Sequence, residues 1–251
     1  MAVLHTKALI LRHVPEREHD RVLTVLTPDH GQLRIRARGT KKSVSKLGGS
    51  LEPLTEVDLS LANGRHLDQV IGAVLLRRFT GLRQDAAVIV AAQWFLELVE
   101  RVTKPGQAGA GLYDLVLAEL EGMAHEGPQS PGRLWLGLCR RAWRLLDHEG
   151  FAPATDHCAR CEKAFLSGDH TAYEPTRGFI HATEGSSDLT SVSMTALAVL
   201  QSGASTAADR ADFRAVHAVL QDVLHRTIDR PLNSERVLQA VVRAAALSGT
   251  V

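Results

Sequence analysis

The 251-residue chain carries 29 Lys and Arg against 28 Asp and Glu, a formal net charge of +1, and is 45% apolar and 23% charged. That composition is ordinary for a globular protein of one large or two average domains with buried cores. A near-neutral balance does not itself point to nucleic acid, so a claim of that kind has to rest on how the charge is distributed.

The start, MAVLHTKALILR, lacks the basic segment, long apolar core and small-residue cleavage site of a secretory signal. The longest apolar run, Ala86 to Ala92, stops at Gln93, far short of the about 18 residues a membrane span needs. Three cysteines, two of them in a C-x-x-C pair, do not make a secreted disulfide framework. These features lead us to expect a cytoplasmic protein with reduced thiols and no membrane partner.

The first 78 residues read as β structure. Ala8 to Val14, Arg21 to Thr27, Gln32 to Arg38, Val57 to Leu61 and His66 to Leu75 are short and rich in branched residues. Pro28-Asp29-His30-Gly31 and Asn63-Gly64 supply turns between them. Five short strands in this length fit a small barrel of the oligonucleotide-binding (OB) type, and other small barrels as well.

From Phe79 the periodicity becomes helical. Val88, Ala92, Phe95, Val99 and Val102 recur at spacings of three and four, and Leu112 to Met123 forms a second segment. Ser130 and Pro131 open a third, running to about His148 with Leu134, Leu138 and Leu145 on its apolar face. Phe213, Val216, Leu220, Val223 and Ile228 mark another helix, ended by Pro231. Asn233 or Ser234 then caps a last helix to about Leu247. Residues 152–190 lack helical periodicity and read as a small insert. The expected organisation is α+β: a barrel over 1–78, then a helical domain over 79–251 carrying that insert.

The barrel concentrates positive charge. Arg34, Arg36 and Arg38 alternate with Ile35 and Ala37, so a strand places all three on one face. Lys41, Lys42 and Lys46 follow, and His30 to Leu51 contains six Lys or Arg and no Asp or Glu. The unmixed sign across a strand and its loop suits phosphates, against the plainer reading of a solvated strand face. All eleven aromatic residues lie from Phe79 onward. Such a barrel has no platform for stacking bases, so it would grip DNA by phosphates and leave base edges free. Gly39-Thr-Lys-Lys-Ser43 lacks the spacing of a nucleotide-binding loop.

Arg133, Arg140 and Arg144 share a second helical face, with Arg141 beside them. It reads either as a solvated face or as a dock for an acidic tail or a second DNA segment. Trp135 and Trp143 nearby read as core aromatics. No catalytic triad or H-E-x-x-H motif is present.

Together the motifs resemble a known family from end to end. They run from Lys7-Ala-Leu-Ile-Leu-Arg12 and Glu18-His-Asp-Arg-Val-Leu-Thr24 through Ala37-Arg-Gly-Thr-Lys-Lys42 and Gly49-Ser-Leu-Glu-Pro-Leu-Thr55. Asn63-Gly-Arg65, Leu82-Arg-Gln-Asp85, Cys158-Ala-Arg-Cys161 and Arg230-Pro-Leu-Asn-Ser234 follow in order. The chain resembles the RecO family of recombination and repair mediators. The resemblance implies an N-terminal OB domain, a helical domain with a zinc-finger-like insert, and no catalytic site. It implies binding of single- and double-stranded DNA, annealing of complementary strands, and work with RecR to load RecA onto DNA covered by single-strand binding protein. It also implies a bacterial, nucleoid-associated location. An RNA-associated OB protein is the alternative from the barrel alone. A metal-dependent nuclease is the alternative from the insert.

Many RecO proteins carry two C-x-x-C pairs in the insert. Here the first pair is Cys158 and Cys161, while His181 and Glu184 stand at the spacing of the second. Cys-Cys-His-Glu would hold one structural zinc ion more weakly than four thiolates. His157 and His170 are substitute ligands. The competing reading is an eroded knuckle with two free thiols. Cys139 is expected to be a buried small hydrophobe.

Overall fold

The computed structural model describes residues 3–16, 18–40, 49–166, 169–182, 189–202 and 210–240. Strands β1 (Val3–Pro15), β2 (Arg21–Thr27), β3 (Gly31–Ala37), β4 (Thr55–Ala62) and β5 (Asp68–Arg78) close a barrel in the order β1-β2-β3-β5-β4. Every neighbouring pair is antiparallel except β3 and β5, which run parallel through Ile35↔Asp68 and Arg36↔Gln69. The α+β architecture with an N-terminal OB barrel is therefore present.

Period-two patterning fills the barrel. Ala8, Ile10, Leu23, Val25, Ile35, Ala37, Val57, Leu59 and Leu61 point inward and form one core. Leu9, Leu11 and Leu26 have the opposite parity yet are also buried, because a helix covers the outside of β1 and β2. That helix is α1 (Ala86–Val102), started by Asp85, whose carboxylate accepts from the Ala87 and Val88 N–H groups. A short 3₁₀ turn (Thr80–Arg83) precedes it. Glu100 of α1 accepts from Arg12 Nη2 at 2.8 Å and from Thr24 Oγ1 at 3.3 Å.

Gly31 shows how closely the chain leaving α1 approaches. Its φ is +61°, and a Cβ there would lie 2.0 Å from the Gln107 carbonyl oxygen, so only glycine fits. Helix α2 (Leu112–Glu126) is tied to β4 and β5 by a polar network. Tyr113 donates to the buried Glu56 at 3.0 Å, and Arg77 pairs with both Glu56 and Glu121. Burial and the Glu56 carboxylate push the Tyr113 hydroxyl well above its ordinary pKa.

By element type the chain changes at Phe79, but by packing it divides elsewhere. One compact unit is Met1–Ser130 with Leu232–Val251, and the other is Pro131–Pro231. The second unit holds α3 (Pro131–His148), a three-stranded sheet ordered β7-β6-β8, α4 (Met194–Ser202) and α5 (Arg210–Thr227). The sheet strands are β6 (Thr171–Glu174), β7 (Gly178–His181) and β8 (Thr190–Val192). Phe179 packs its ring against Trp143 of α3 and Tyr173 of β6. Tyr173 donates to Asp222 of α5 at 2.7 Å. Neither the sheet nor α4 was among the expected elements.

The return of the chain to the first unit is held by one side chain. Glu97 accepts from the Asn233 N–H at 2.8 Å, Asn233 Nδ2 at 2.9 Å, the Ser234 N–H at 2.9 Å and Ser234 Oγ at 2.6 Å. Helix resumes directly after Ser234, so a carboxylate from α1 sits at the positive end of that helix. Burial raises the Glu97 pKa, but the bonds from Ser234 and Asn233 outweigh it and hold the group below the usual carboxylate range. Glu97→Ala is expected to cost about 2–3 kcal/mol, the worth of several bonds to one charged acceptor. Because the folded pKa is lowered, this contribution is complete above the unfolded-chain value of about 4.3 and is lost as pH falls through the folded value. Thermal unfolding of wild type and variant from pH 7 down to pH 3 should show the gap between them closing.

Candidate nucleic-acid interface and metal cluster

On β3 the alternation expected from sequence is present. Ile35 and Ala37 are buried, while Arg34 and Arg38 are exposed on the opposite face. Arg36 lies between them but is engaged: its Nε and Nη2 each donate to a Glu16 carboxylate oxygen at 2.6 Å. That hydrogen bond, the largest influence, raises the Arg36 pKa. Asp20 also reaches this row and accepts from the Gly39 N–H at 3.0 Å. The segment free of acidic residues in sequence therefore has two carboxylates beside it in space, and Arg36 is in part a structural cation. Arg34 and Arg38 make no ion pair among the described residues. Lys41, Lys42 and Lys46 lie outside the described residues.

A further cation belongs to this region and was missed from sequence. Thr103 donates to Gln32 Oε1 at 2.6 Å, the Gly106 N–H donates to the Gln32 carbonyl at 3.0 Å, and Pro105 bridges to Gln32. Gln32 is two residues before Arg34 on the same face, so exposed Lys104 stands beside that end of the row. Glu16 was missed for the same reason: both residues reach β3 only through the fold.

The second basic face is corrected. Arg141 is only 2% exposed and is among the largest fully buried side chains. It stands seven residues after Leu134 and three after Leu138, so it belongs to the apolar face of α3. Arg140 is half-buried, which leaves Arg133 and Arg144 exposed. Trp143 is buried as expected, and Trp135 is half-buried with its ring 5.2 Å from that of His217.

In the insert, Cys158, Cys161 and His181 converge, with their ligand atoms within 4.8 Å of one another. Cys161 Sγ lies 3.5 Å from His181 Nδ1. Ligand distances of 2.3 Å to sulfur and 2.0–2.1 Å to nitrogen give a tetrahedral zinc edge of about 3.6 Å, which the Cys161–His181 pair matches, with the Cys158 ligand atom within 4.8 Å of both. The Cys158 loop is built as a knuckle. Glu162, directly after the second cysteine, has φ +61°, and the Arg160 N–H donates to Cys158 Sγ at 3.4 Å. Burial raises the Cys158 pKa, but N–H groups of Cys161, Arg160 and His181 outweigh it and pull the thiol below its ordinary value. The His181 imidazole is held above its usual value, first by Cys158 and then by Asp169. Glu184 lies outside the described residues. His157 is bound to Asp156 at 2.6 Å, and neither it nor His170 joins the cluster.

The chain thus combines an OB barrel that exposes arginines with a helical unit and a cysteine-histidine insert. Residues 1–79 match the family model described as Recombination protein O N terminal, and residues 83–236 match Recombination protein O C terminal. A DNA repair protein RecO of Nocardioides sp. is 34% identical over 174 residues, 68% of this chain and 70% of the relative. The RecO of Gloeobacter violaceus is 36% identical over 69% of this chain and 65% of its own length. That of Frankia casuarinae is 37% identical over 64% of this chain and 65% of its own length. The chain belongs to the RecO family of DNA repair proteins. None of the described helices is long and apolar enough to cross a membrane.

Cys139 is 1% exposed and burial pushes its thiol up. Under native, metal-free conditions a thiol reagent should therefore modify no more than two cysteines, Cys161 first. Cys139 should react only on unfolding, as read by peptide mapping after timed quenching.

Proposed function

We propose that this chain is a non-enzymatic DNA-binding mediator that holds single and double strands by their phosphates and anneals complementary strands. The observation that carries this reading is the outer face of β3, where Arg34 and Arg38 stand exposed on a barrel without a single aromatic residue before Phe79. Phosphate contacts hold a strand without covering its base edges, so a second strand can pair with it. Lys104 and the loop cations Lys41, Lys42 and Lys46 extend the same field. Arg36 contributes less, because Glu16 neutralises it. Exposed Arg133 and Arg144 form a secondary cationic face for an acidic tail or a second DNA segment. In the cell the chain works with RecR to load RecA onto DNA covered by single-strand binding protein, in the bacterial cytoplasm at the nucleoid.

The insert holds one structural zinc ion through Cys158, Cys161 and His181, with Glu184 as the fourth ligand. A metal bound there supplies a cross-link between the knuckle and β7, the role of closed zinc sites in small modules.

Phosphate gripping requires steep salt dependence. The apparent association constant for single strands should fall with salt by about 0.7 logarithmic units per decade for each phosphate contact. Joint Arg34→Ala and Arg38→Ala should reduce that slope by about 1.4 and slow annealing of labelled complementary strands. Glu16→Gln, which releases Arg36, should act in the opposite direction. An unchanged slope in the double variant with folding intact overturns the assignment of this face. Strand cleavage in the same assay overturns the non-enzymatic reading.

A further inference from the structure

We propose that Asp169 is a positioning residue for metal binding: it fixes the His181 ring so that Nδ1 meets the metal beside Cys158 and Cys161. The proposal rests on the zinc reading above. A neutral imidazole has one N–H donor and one bare acceptor nitrogen. His181 Nδ1 faces Cys161 Sγ at 3.5 Å, and Nε2 faces Asp169 Oδ2 at 3.2 Å. An ionised carboxylate only accepts, so the proton belongs on Nε2 and the lone pair of Nδ1 points toward the sulfurs.

The carboxylate is itself held in place. The Leu166 N–H donates to Asp169 Oδ2 at 2.7 Å, and the Asp169 N–H returns a bond to the Leu166 carbonyl at 3.0 Å. The next residues tie this turn to the strand of His181: Thr171 pairs with His181, and the Ala182 N–H donates to the His170 carbonyl at 2.7 Å. The Phe165 ring stands edge-on to His181, with centroids 5.1 Å apart, and limits rotation of the imidazole. Asp169 is not among the three residues whose ligand atoms converge, so it acts through His181. Carboxylate, imidazole and metal in line is the arrangement by which an outer carboxylate orients a histidine ligand and raises its basicity.

The test uses the full chain and two readouts: zinc affinity by competition with a chromophoric chelator, and the His181 tautomer from long-range proton–nitrogen NMR. Asp169→Ala should weaken zinc binding about 10–100-fold. Asp169→Asn, whose amide oxygen still accepts from Nε2–H, should recover much of that loss. The zinc-loaded wild type should carry the imidazole proton on Nε2. Wild-type affinity in Asp169→Ala, or a wild-type proton on Nδ1, overturns the proposal. The second readout stands even if the alanine variant does not fold. Cys161→Ser separates the two levels: zinc retained in that variant, or absent from the wild type, overturns the zinc site itself and the proposal with it.

Discussion

Glu100 marks the contact on which the arrangement of the first unit turns. Its carboxylate takes bonds from Arg12 on β1 and Thr24 on β2, fixing α1 across the outside of those strands. Leu9, Leu11 and Leu26, which a solvated barrel would expose, are buried beneath it. Beyond the helix, Thr103 and Gly106 close over Gln32. The covering stops there, and exposed arginines begin at Arg34. The same packing that completes the apolar core thus sets the limit of the open basic surface.

Electrostatics on that surface is organised rather than simply additive. Glu16 and Asp20 sit on the connection between β1 and β2 and reach the β3 row. They order Arg36 and the turn at Gly39 while Arg34 and Arg38 stay open to solvent. A planar guanidinium is pre-organised for two parallel bonds, so it gives up less freedom for each bond formed. One arginine of the three therefore shapes the face, and the other two supply most of its attraction for phosphate.

Much of the fold was legible because it rests on local periodicity. The β2 limits, Arg21 and Thr27, coincide with those read from branched residues, and α3 starts at Pro131 and ends at His148 as expected. The insert sheet was invisible because its strands have only three or four residues each, too few to display alternation. Helix α4 carries an unbroken apolar run from Ala196 to Leu200, of which Ala196, Leu197, Val199 and Leu200 are buried, so no amphipathic period marks it. At the candidate sites, C-x-x-C spacing picked out Cys158 and Cys161, and the family resemblance picked out His181. Neither could supply Glu16, Lys104 or Asp169, which are 20, 70 and 12 positions from Arg36, Arg34 and His181. Arg141 was misjudged because charge suggested a surface, whereas its seven-residue offset from Leu134 placed it on the apolar face.

The clasp of Glu97 on Asn233 and Ser234 spans 136 and 137 positions, and the whole second unit is threaded between its two halves. During synthesis the barrel and α1 leave the ribosome long before the residues that complete their unit. At about 5–20 residues per second, Glu97 waits roughly 7–27 seconds for its partners. Throughout that interval the nascent first unit carries an acidic side chain aimed at a place where no helix end has yet arrived. The residues after Pro231 therefore decide when the first domain becomes a finished object.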